Sequence, residues 1–373
     1  MEESFIKIHK SLYPLSLLYR LGVDLRNKMF DWGILHSKSY DIPIISVGNI
    51  TVGGTGKTPH TEYLIRLLKD EFKLAVLSRG YKRKTKGFVM ATASSSANDI
   101  GDEPFQMKQK FPEIIVSVDK DRCHGIETLR EKQKSELEAI ILDDAYQHRY
   151  VNPGINILLV DFNRLICDDV LLPAGRLREP ASGKHRANIV IVTKCPRLMK
   201  PMDYRIISKR LNLYPYQDLY FTSYKYGNLA PVFPEHTNPK RALGQIGKDE
   251  KILLLTGIAS PKQMMQDLEK YMSQITPLTF GDHHEFTEND IYKIKETYEN
   301  LKGEKKIIIT TEKDAARLSQ LTDLDDTIKK NIFALPIEVK FLLNQEGAFN
   351  QTIIDYVRKN KRNSRFSEKE NAY

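Results

Sequence analysis

The sequence predicts an α/β protein, with a mostly parallel sheet covered by helices on both faces and a second, smaller α/β domain after it. Three observations carry this. Short β-rich apolar runs alternate with helix-compatible stretches, one of those runs opens into a glycine-rich loop, and a second series of runs follows a Pro- and Tyr-rich passage. The first series is Ile42–Val47, Leu74–Leu77, Ile114–Val118, Ala139–Leu142, Ile155–Val160 and Ile189–Thr193. The passage near Leu213–Pro239 reads as a connection, and the second series is Ile252–Thr256, Ile275–Phe280, Ile307–Thr311 and Ile332–Leu335. The boundaries expected from this pattern are an N-terminal helical region at 1–35, a nucleotide-binding domain at 36–215, a smaller α/β domain at 216–358 and a charged tail at 359–373.

The N-terminal region stands apart from both domains. Leu18, Leu21, Leu25, Met29 and Trp32 recur at three- and four-residue spacing, while Arg20, Asp24 and Lys28 follow at four-residue spacing on a different face. That is an amphipathic helix. Periodicity alone favours a helix packed on the core; Arg20, Arg26, Lys28 and Trp32 also suit a helix lying in a membrane interface.

The glycine loop is the most informative element. Ile44-Ile45-Ser46-Val47 is a strand, Thr51 to Gly56 is glycine-rich, and Pro59 onward has helical periodicity, the order a phosphate cradle requires. In Gly53-Gly54-Thr55-Gly56-Lys57-Thr58 the glycines let backbone N–H groups approach phosphate oxygens. Lys57 can reach the β- and γ-phosphates, and the Thr58 hydroxyl can ligate Mg²⁺. Thr51 stands where the strict pattern has its first glycine. Asp143 and Asp144 follow the apolar run Ala139–Leu142 and supply the strand-end carboxylates that a Mg²⁺–nucleotide site uses. The fold class is therefore P-loop NTPase-like.

Bulk properties narrow the partners. A net charge of +9, from 57 Lys and Arg against 48 Asp and Glu, favours an acidic ligand. The basic residues are dispersed and not interleaved with stacking aromatics, which argues against nucleic acid. Three widely spaced cysteines suggest neither a disulfide framework nor a zinc site, so a reducing cytoplasm is expected. No apolar h-region with a cleavage site is visible, and no stretch reaches the roughly 18 apolar residues of a membrane span.

Val47-Gly48-Asn49, followed by Val52 to Pro59, resembles the loop of the tetraacyldisaccharide 4′-kinases, the lipid A 4′-kinases, which also lacks the first glycine. Further matches run in order along most of the chain. They are Ser78–Tyr81, Gly101–Pro104, Asp143–His148, Leu172–Pro180, Asp282–His284 and Thr311–Asp314. Ala145-Tyr146 departs from the Gly-Phe more usual in the family. The resemblance implies ATP-dependent phosphorylation of the 4′-hydroxyl of a tetraacyl disaccharide 1-phosphate, with Mg²⁺, at the cytoplasmic face of a bacterial inner membrane. A lipid-anchored substrate turns the amphipathic helix into a membrane contact.

A sugar hydroxyl is a poor nucleophile at neutral pH, so an acceptor base is expected, and Asp102 with His283 is the pair the matched motifs suggest. Asp102, before Pro104, also stands where a helix N-cap would. Arg79, Arg122, Arg176 and Arg178 suit bidentate contact with phosphate on ATP or on the lipid. Gln147 and His148 are close enough to the acidic pair to orient a metal ligand or a phosphate, and Tyr81, Glu103 and His284 join the substrate-binding set through their motifs. The competing class is a P-loop GTPase or metallochaperone-type ATPase. Against it, Thr193-Lys194-Cys195-Pro196 is only a degraded version of the guanine-reading Asn-Lys-x-Asp element.

Overall fold

The computed structural model describes residues 8–370 apart from 134–135, 237–240, 248, 259–261, 273, 282–283, 285 and 322–323; for 262–263 and 361–370 it describes the backbone alone. Helix α1 (Tyr13–Asp31) leads to β1 (Ile44–Gly48), α2 (Lys57–Leu68), β2 (Leu74–Ser78), β3 (Val89–Met90), α3 (Ala97–Ile100) and α4 (Asp102–Lys110). Next come β4 (Ile115–Val118), α5 (Arg122–Gln133), β5 (Ala139–Asp143), β6 (Ile155–Asp161), β7 (Ile189–Thr193), α6 (Pro201–Leu211) and β8 (Asp218–Tyr226). The chain then runs through β9 (Ala230–Pro231), β10 (Lys251–Thr256), α7 (Lys262–Leu268), β11 (Ile275–Thr279), α8 (Glu288–Glu299), β12 (Lys306–Thr311), α9 (Glu312–Leu318), α10 (Asp326–Asn331) and β13 (Ile332–Leu335). It ends on β14 (Ile337–Phe341) and α11 (Glu346–Glu370).

Two sheets form. The larger has the order β14-β8-β7-β6-β1-β5-β2-β4-β3, parallel throughout except for antiparallel β14 and β3 at its edges. The smaller has the order β11-β10-β12-β13-β9, parallel except for β9. In the large sheet consecutive residues face opposite layers, as the pleat demands. Ile45 and Ile141 pack beneath α2, α4 and α11, whereas Ile44 and Ile140 pack beneath α5. Beside them Leu158, Val160, Val190 and Val192 meet Ile207 and Leu211 of α6. Strands buried on both faces are apolar at nearly every position, which is why they read as almost continuous runs.

The chain returns to the large sheet after the small one is built. β8 starts beyond the boundary expected at 215/216, and β14 falls inside the expected second domain, yet β8 pairs with β7 and β14 pairs with β8. The reason lies in composition. β8 mixes Leu219, Tyr220 and Phe221 with Asp218 and Lys225, which lie exposed toward its two ends, and β14, the edge strand, needs no unbroken apolar run. The charged end of the chain, expected as a tail from 359, continues α11 as far as Glu370.

Helix α1 has its polarity reversed relative to an ordinary surface helix. Its buried residues are Ser16 and Phe30, while Leu15, Leu17, Leu18, Leu21, Leu25 and the following Trp32 are all exposed. Polar groups tie it down: Ser16 Oγ donates to Leu171 O at 3.0 Å, Tyr19 Oη to Arg178 O at 2.9 Å, and Arg149 reaches Asn27 O at 3.0 Å and Asp31 at 2.6 Å. The packed-on-core reading of Leu18, Leu21 and Leu25 is thereby corrected.

Candidate functional site

The loop between β1 and α2 wraps the N-terminus of α2, where backbone N–H groups without helical partners make an anion site. Gly56 caps the helix at φ +86°, and a Cβ there would lie 2.0 Å from the Tyr224 hydroxyl, so no other residue fits. The Thr51 departure has a local cause. Val52 N donates to Arg176 O and Arg178 N to Ile50 O, both at 2.7 Å, and Thr51 bridges Leu177. The first arm of the loop is thus held as a short ladder against residues 176–178, extended backbone in which threonine is at ease. Asn49 ties the two arms together, donating to Thr51 Oγ1 at 3.3 Å and Thr55 Oγ1 at 2.6 Å.

Strand β5 lies directly beside β1, with Val47 opposite Asp143. The adjacent acids have different fates. Asp143 is buried, its Oδ1 accepting from the Thr61 hydroxyl at 3.1 Å and its Oδ2 from the Ser78 hydroxyl at 3.2 Å. Burial, helped by the charge of Asp144, pushes its carboxyl up to about 6. Both its oxygens accept hydroxyl hydrogen bonds from within the protein, so of the two acids Asp143 is the more enclosed. Asp144 turns outward in a left-handed conformation, φ +46°, and lies 3.7 Å from Lys57 Nζ and 3.1 Å from Arg178 Nη2. Burial would raise its carboxyl, but Lys57 and Arg178 outweigh burial and hold it below the usual range.

The arginines separate by environment. Arg122 is buried, and its guanidinium donates to Asp144 O at 3.2 Å and Asp143 O at 3.4 Å; burial lowers it to about 10 in spite of the nearby acids. It props the acidic turn from behind and is not an open phosphate ligand. Arg178 bridges Asp144 and the Asn49 side chain. Arg176 is exposed beside the loop, its guanidinium 3.9 Å from where a Cβ on Gly53 would stand. Arg79 is exposed just past β2, and Tyr81 is also exposed. Gln147 donates to Asn49 O at 2.7 Å, bracing the loop, and its own carbonyl accepts from Arg26 of α1. Burial and the charge of Arg122 lower His148 to about 4, so its ring is neutral.

The residues expected on the acceptor side fall near the junction of the two sheets, where α4 meets α9. Asp102, first residue of α4, accepts at its Oδ2 from both Nη2 and Nε of Arg317 of α9, at 2.5 Å and 3.1 Å, and Arg317 also reaches Asp314 at 3.3 Å. Glu103 is 3.7 Å from Lys313, and Lys110 joins Glu62 of α2 to Glu312 of α9 at 2.6 Å and 2.5 Å. His284 is turned to Asp290 at 2.9 Å and stacks on Phe280. His283 lies outside the described residues. Sequence reasoning missed Asn49, Lys194, Lys313 and Arg317. The last two sit in or beside the Thr311–Asp314 motif, which was the available signal.

Comparisons with known proteins identify the family. A family model described as Tetraacyldisaccharide-1-P 4′-kinase matches residues 8–358. The chain is 58% identical over 379 residues to the Tetraacyldisaccharide 4′-kinase of Bacteroides thetaiotaomicron and 59% identical over 374 residues to that of Bacteroides fragilis, covering 100% of each chain in both cases. A crystal structure described as the "apo" form of LpxK from Aquifex aeolicus in complex with ATP superposes with a TM-score of 0.70 at 29% identity, covering 94% of this chain and 99% of that one.

Proposed function

The chain belongs to the tetraacyldisaccharide-1-P 4′-kinase family, and from that premise we propose that it transfers the γ-phosphoryl group of ATP to the 4′-hydroxyl of a tetraacyl disaccharide 1-phosphate. The observation that carries the reading is the Lys57 ammonium 3.7 Å from the strand-end carboxylate of Asp144, at the N-terminus of α2. Phosphoryl transfer needs chiefly positioning and charge stabilisation. The loop N–H groups and Lys57 hold the β- and γ-phosphates, and Arg176 and Arg178 supply further positive charge. The Thr58 hydroxyl and the Asp144 carboxylate are hard oxygen donors suited to Mg²⁺, which would neutralise charge on the phosphate oxygens.

On the acceptor side Asp102, with His283, takes the proton of the 4′-hydroxyl as its oxygen bonds to phosphorus and the bond from phosphorus to the β-phosphate oxygen breaks. Arg317 orients Asp102 and ties it to the smaller sheet. We divide the chain into the membrane-associating helix, a nucleotide domain formed by the large sheet and an inserted smaller domain. The lipid substrate and the exposed leucines of α1 support peripheral attachment to the cytoplasmic leaflet of the inner membrane, with Arg20 and Lys28 near the headgroups. Among the described residues no helix is long and apolar enough to cross a membrane. A switch GTPase is disfavoured, since Pro196 stands where the guanine-reading acid belongs.

The test is label transfer. With γ-phosphate-labelled ATP and the disaccharide lipid in detergent, label should enter the organic phase on extraction only when protein and lipid are both present. Label released solely as inorganic phosphate would instead favour the hydrolytic switch.

A further inference from the structure

Thr193-Lys194-Cys195-Pro196 closes β7, two strands from β1 on the side away from β5. As a base-reading element it is incomplete. Its first two residues nevertheless grip the phosphate loop. Thr193 is fully buried, and its hydroxyl donates to Thr55 O at 2.9 Å. The Lys194 ammonium donates to Gly54 O and pairs with Asp161 Oδ2 at 2.6 Å. Asp161, the last residue of β6, stands opposite Thr193 in the strand register.

Lys194 does this from a left-handed backbone, φ +58°. For a lysine that conformation is strained and persists only where surrounding contacts over-determine it. Here the contacts are Asp161 and the loop carbonyl. The consequence for the loop follows from peptide planarity. In a trans peptide the N–H points opposite to the preceding C=O. Holding the carbonyls of Gly54 and Thr55 from the β6–β7 side therefore fixes the directions of the Thr55 and Gly56 N–H groups. Thr55 N–H closes on Gly53 O at 3.1 Å, and Gly56 N–H lies at the mouth of α2. The first of these closes the loop on itself, and the second, aimed in advance, can meet phosphate without having to be ordered at that moment.

We propose that Thr193 and Lys194 are positioning residues that lock the phosphate loop in its anion-binding conformation, with Asp161 aiming the lysine. This rests on reading the loop as the nucleotide site. The brace acts on the phosphates and not on the base, so it does not discriminate ATP from GTP, and Pro196 leaves no acid there to read guanine.

The experiment is calorimetric binding of ATP and GTP to the full chain as wild type, Lys194→Met, Lys194→Arg and Thr193→Val, with kinetics on the lipid acceptor. A lost charge-assisted hydrogen bond predicts that Lys194→Met weakens ATP by about tenfold or more, and GTP by the same factor. Lys194→Arg should restore most of the affinity, Thr193→Val should show a smaller loss in the same direction, and the KM for lipid should stay within about twofold of wild type. Wild-type affinity in Lys194→Met overturns the proposal, as does a loss confined to one nucleotide, which would make the lysine a base contact. A fall in thermal stability with a parallel rise in the KM for lipid, unrescued by arginine, would reduce the residue to a structural one and also overturn it. Wild-type protein that binds neither nucleotide would remove the underlying reading and the brace with it.

Discussion

Replacing Leu18, Leu21 and Leu25 of α1 by serine should release the protein from membranes while leaving it folded. The three side chains are 66%, 67% and 58% exposed, so in the folded protein about two thirds of each transfer out of water has still to be made. Fully burying a leucine is worth about 1.5–3 kcal/mol, so each contributes roughly 1–2 kcal/mol at an interface and the three together about 3–6 kcal/mol. At about 1.4 kcal/mol per tenfold, vesicle partitioning should fall by roughly 10² to 10⁴. The fold loses only the third already gained, about 2 kcal/mol in all, where three leucines in a core would cost on the order of 10 kcal/mol. Flotation with anionic vesicles measures the first quantity and thermal unfolding the second, with ATP binding as a control. Unchanged flotation, or a collapse of the thermal transition, would refute the reasoning.

Lys57→Ala should abolish phosphoryl transfer and weaken ATP binding while the melting temperature stays near wild type; turnover by this variant would remove the loop from the mechanism. Asp144→Asn should cut Mg²⁺-dependent turnover at least a hundredfold with little change in stability, because its carboxylate faces Lys57 and not the core. Asp102→Ala and His283→Ala should each lower kcat strongly and combine non-additively, whereas His284→Ala, whose ring is committed to Asp290, should stay active; the reverse ranking of the histidines would reassign the partner of Asp102. His60 is buried between Gly56 O and Thr222 Oγ1, and burial lowers its pKa from 6.5 to about 4. The unfolded chain therefore binds the extra proton first, and as pH falls from 6.5 to 4 stability should drop by up to about 3 kcal/mol. His148, lowered likewise, adds to this slope and Asp143, raised to about 6, opposes it, so chemical denaturation of wild type and His60→Gln across that range should differ by the His60 share.

Most of the large sheet was legible because a strand covered on both faces is apolar at nearly every position, as Ile44–Gly48 and Ala139–Asp143 are but for Ser46 and Asp143. β8 and β14 were not legible: β8 carries Thr222 and Ser223 in its buried middle and is exposed at Asp218 and Lys225, and β14 is an edge strand that pairs with β8 across more than a hundred residues. At the site, glycines and a lysine at a strand-to-helix junction announced the cradle. What the spacing could not say was which of two neighbouring acids faces outward. Asp143 and Asp144 differ only in the left-handed turn that rotates Asp144 toward Lys57, and that turn depends on Arg122 holding both carbonyls from twenty residues away. Arg122 and Arg178 look alike in sequence, yet burial makes one a prop and leaves the other a bridge to the loop. The orientation of α1 was ambiguous for a related reason. Its apolar stripe is plain in the sequence, but whether that stripe faces inward is decided by the polar groups on the opposite side, Ser16, Tyr19 and Asn27, which find partners only in the folded protein.

The central claim is that the phosphate loop and the acid pair beside it serve transfer to a sugar hydroxyl. The most direct measurement incubates the protein with ATP, Mg²⁺ and a tetraacyl disaccharide 1-phosphate in detergent, then locates any new phosphate by mass spectrometry and phosphorus NMR. The predicted product is the lipid heavier by one phosphoryl group, carried on the 4′ oxygen. Unmodified lipid recovered beside hydrolysed ATP, or a phosphate on any other oxygen, would contradict it.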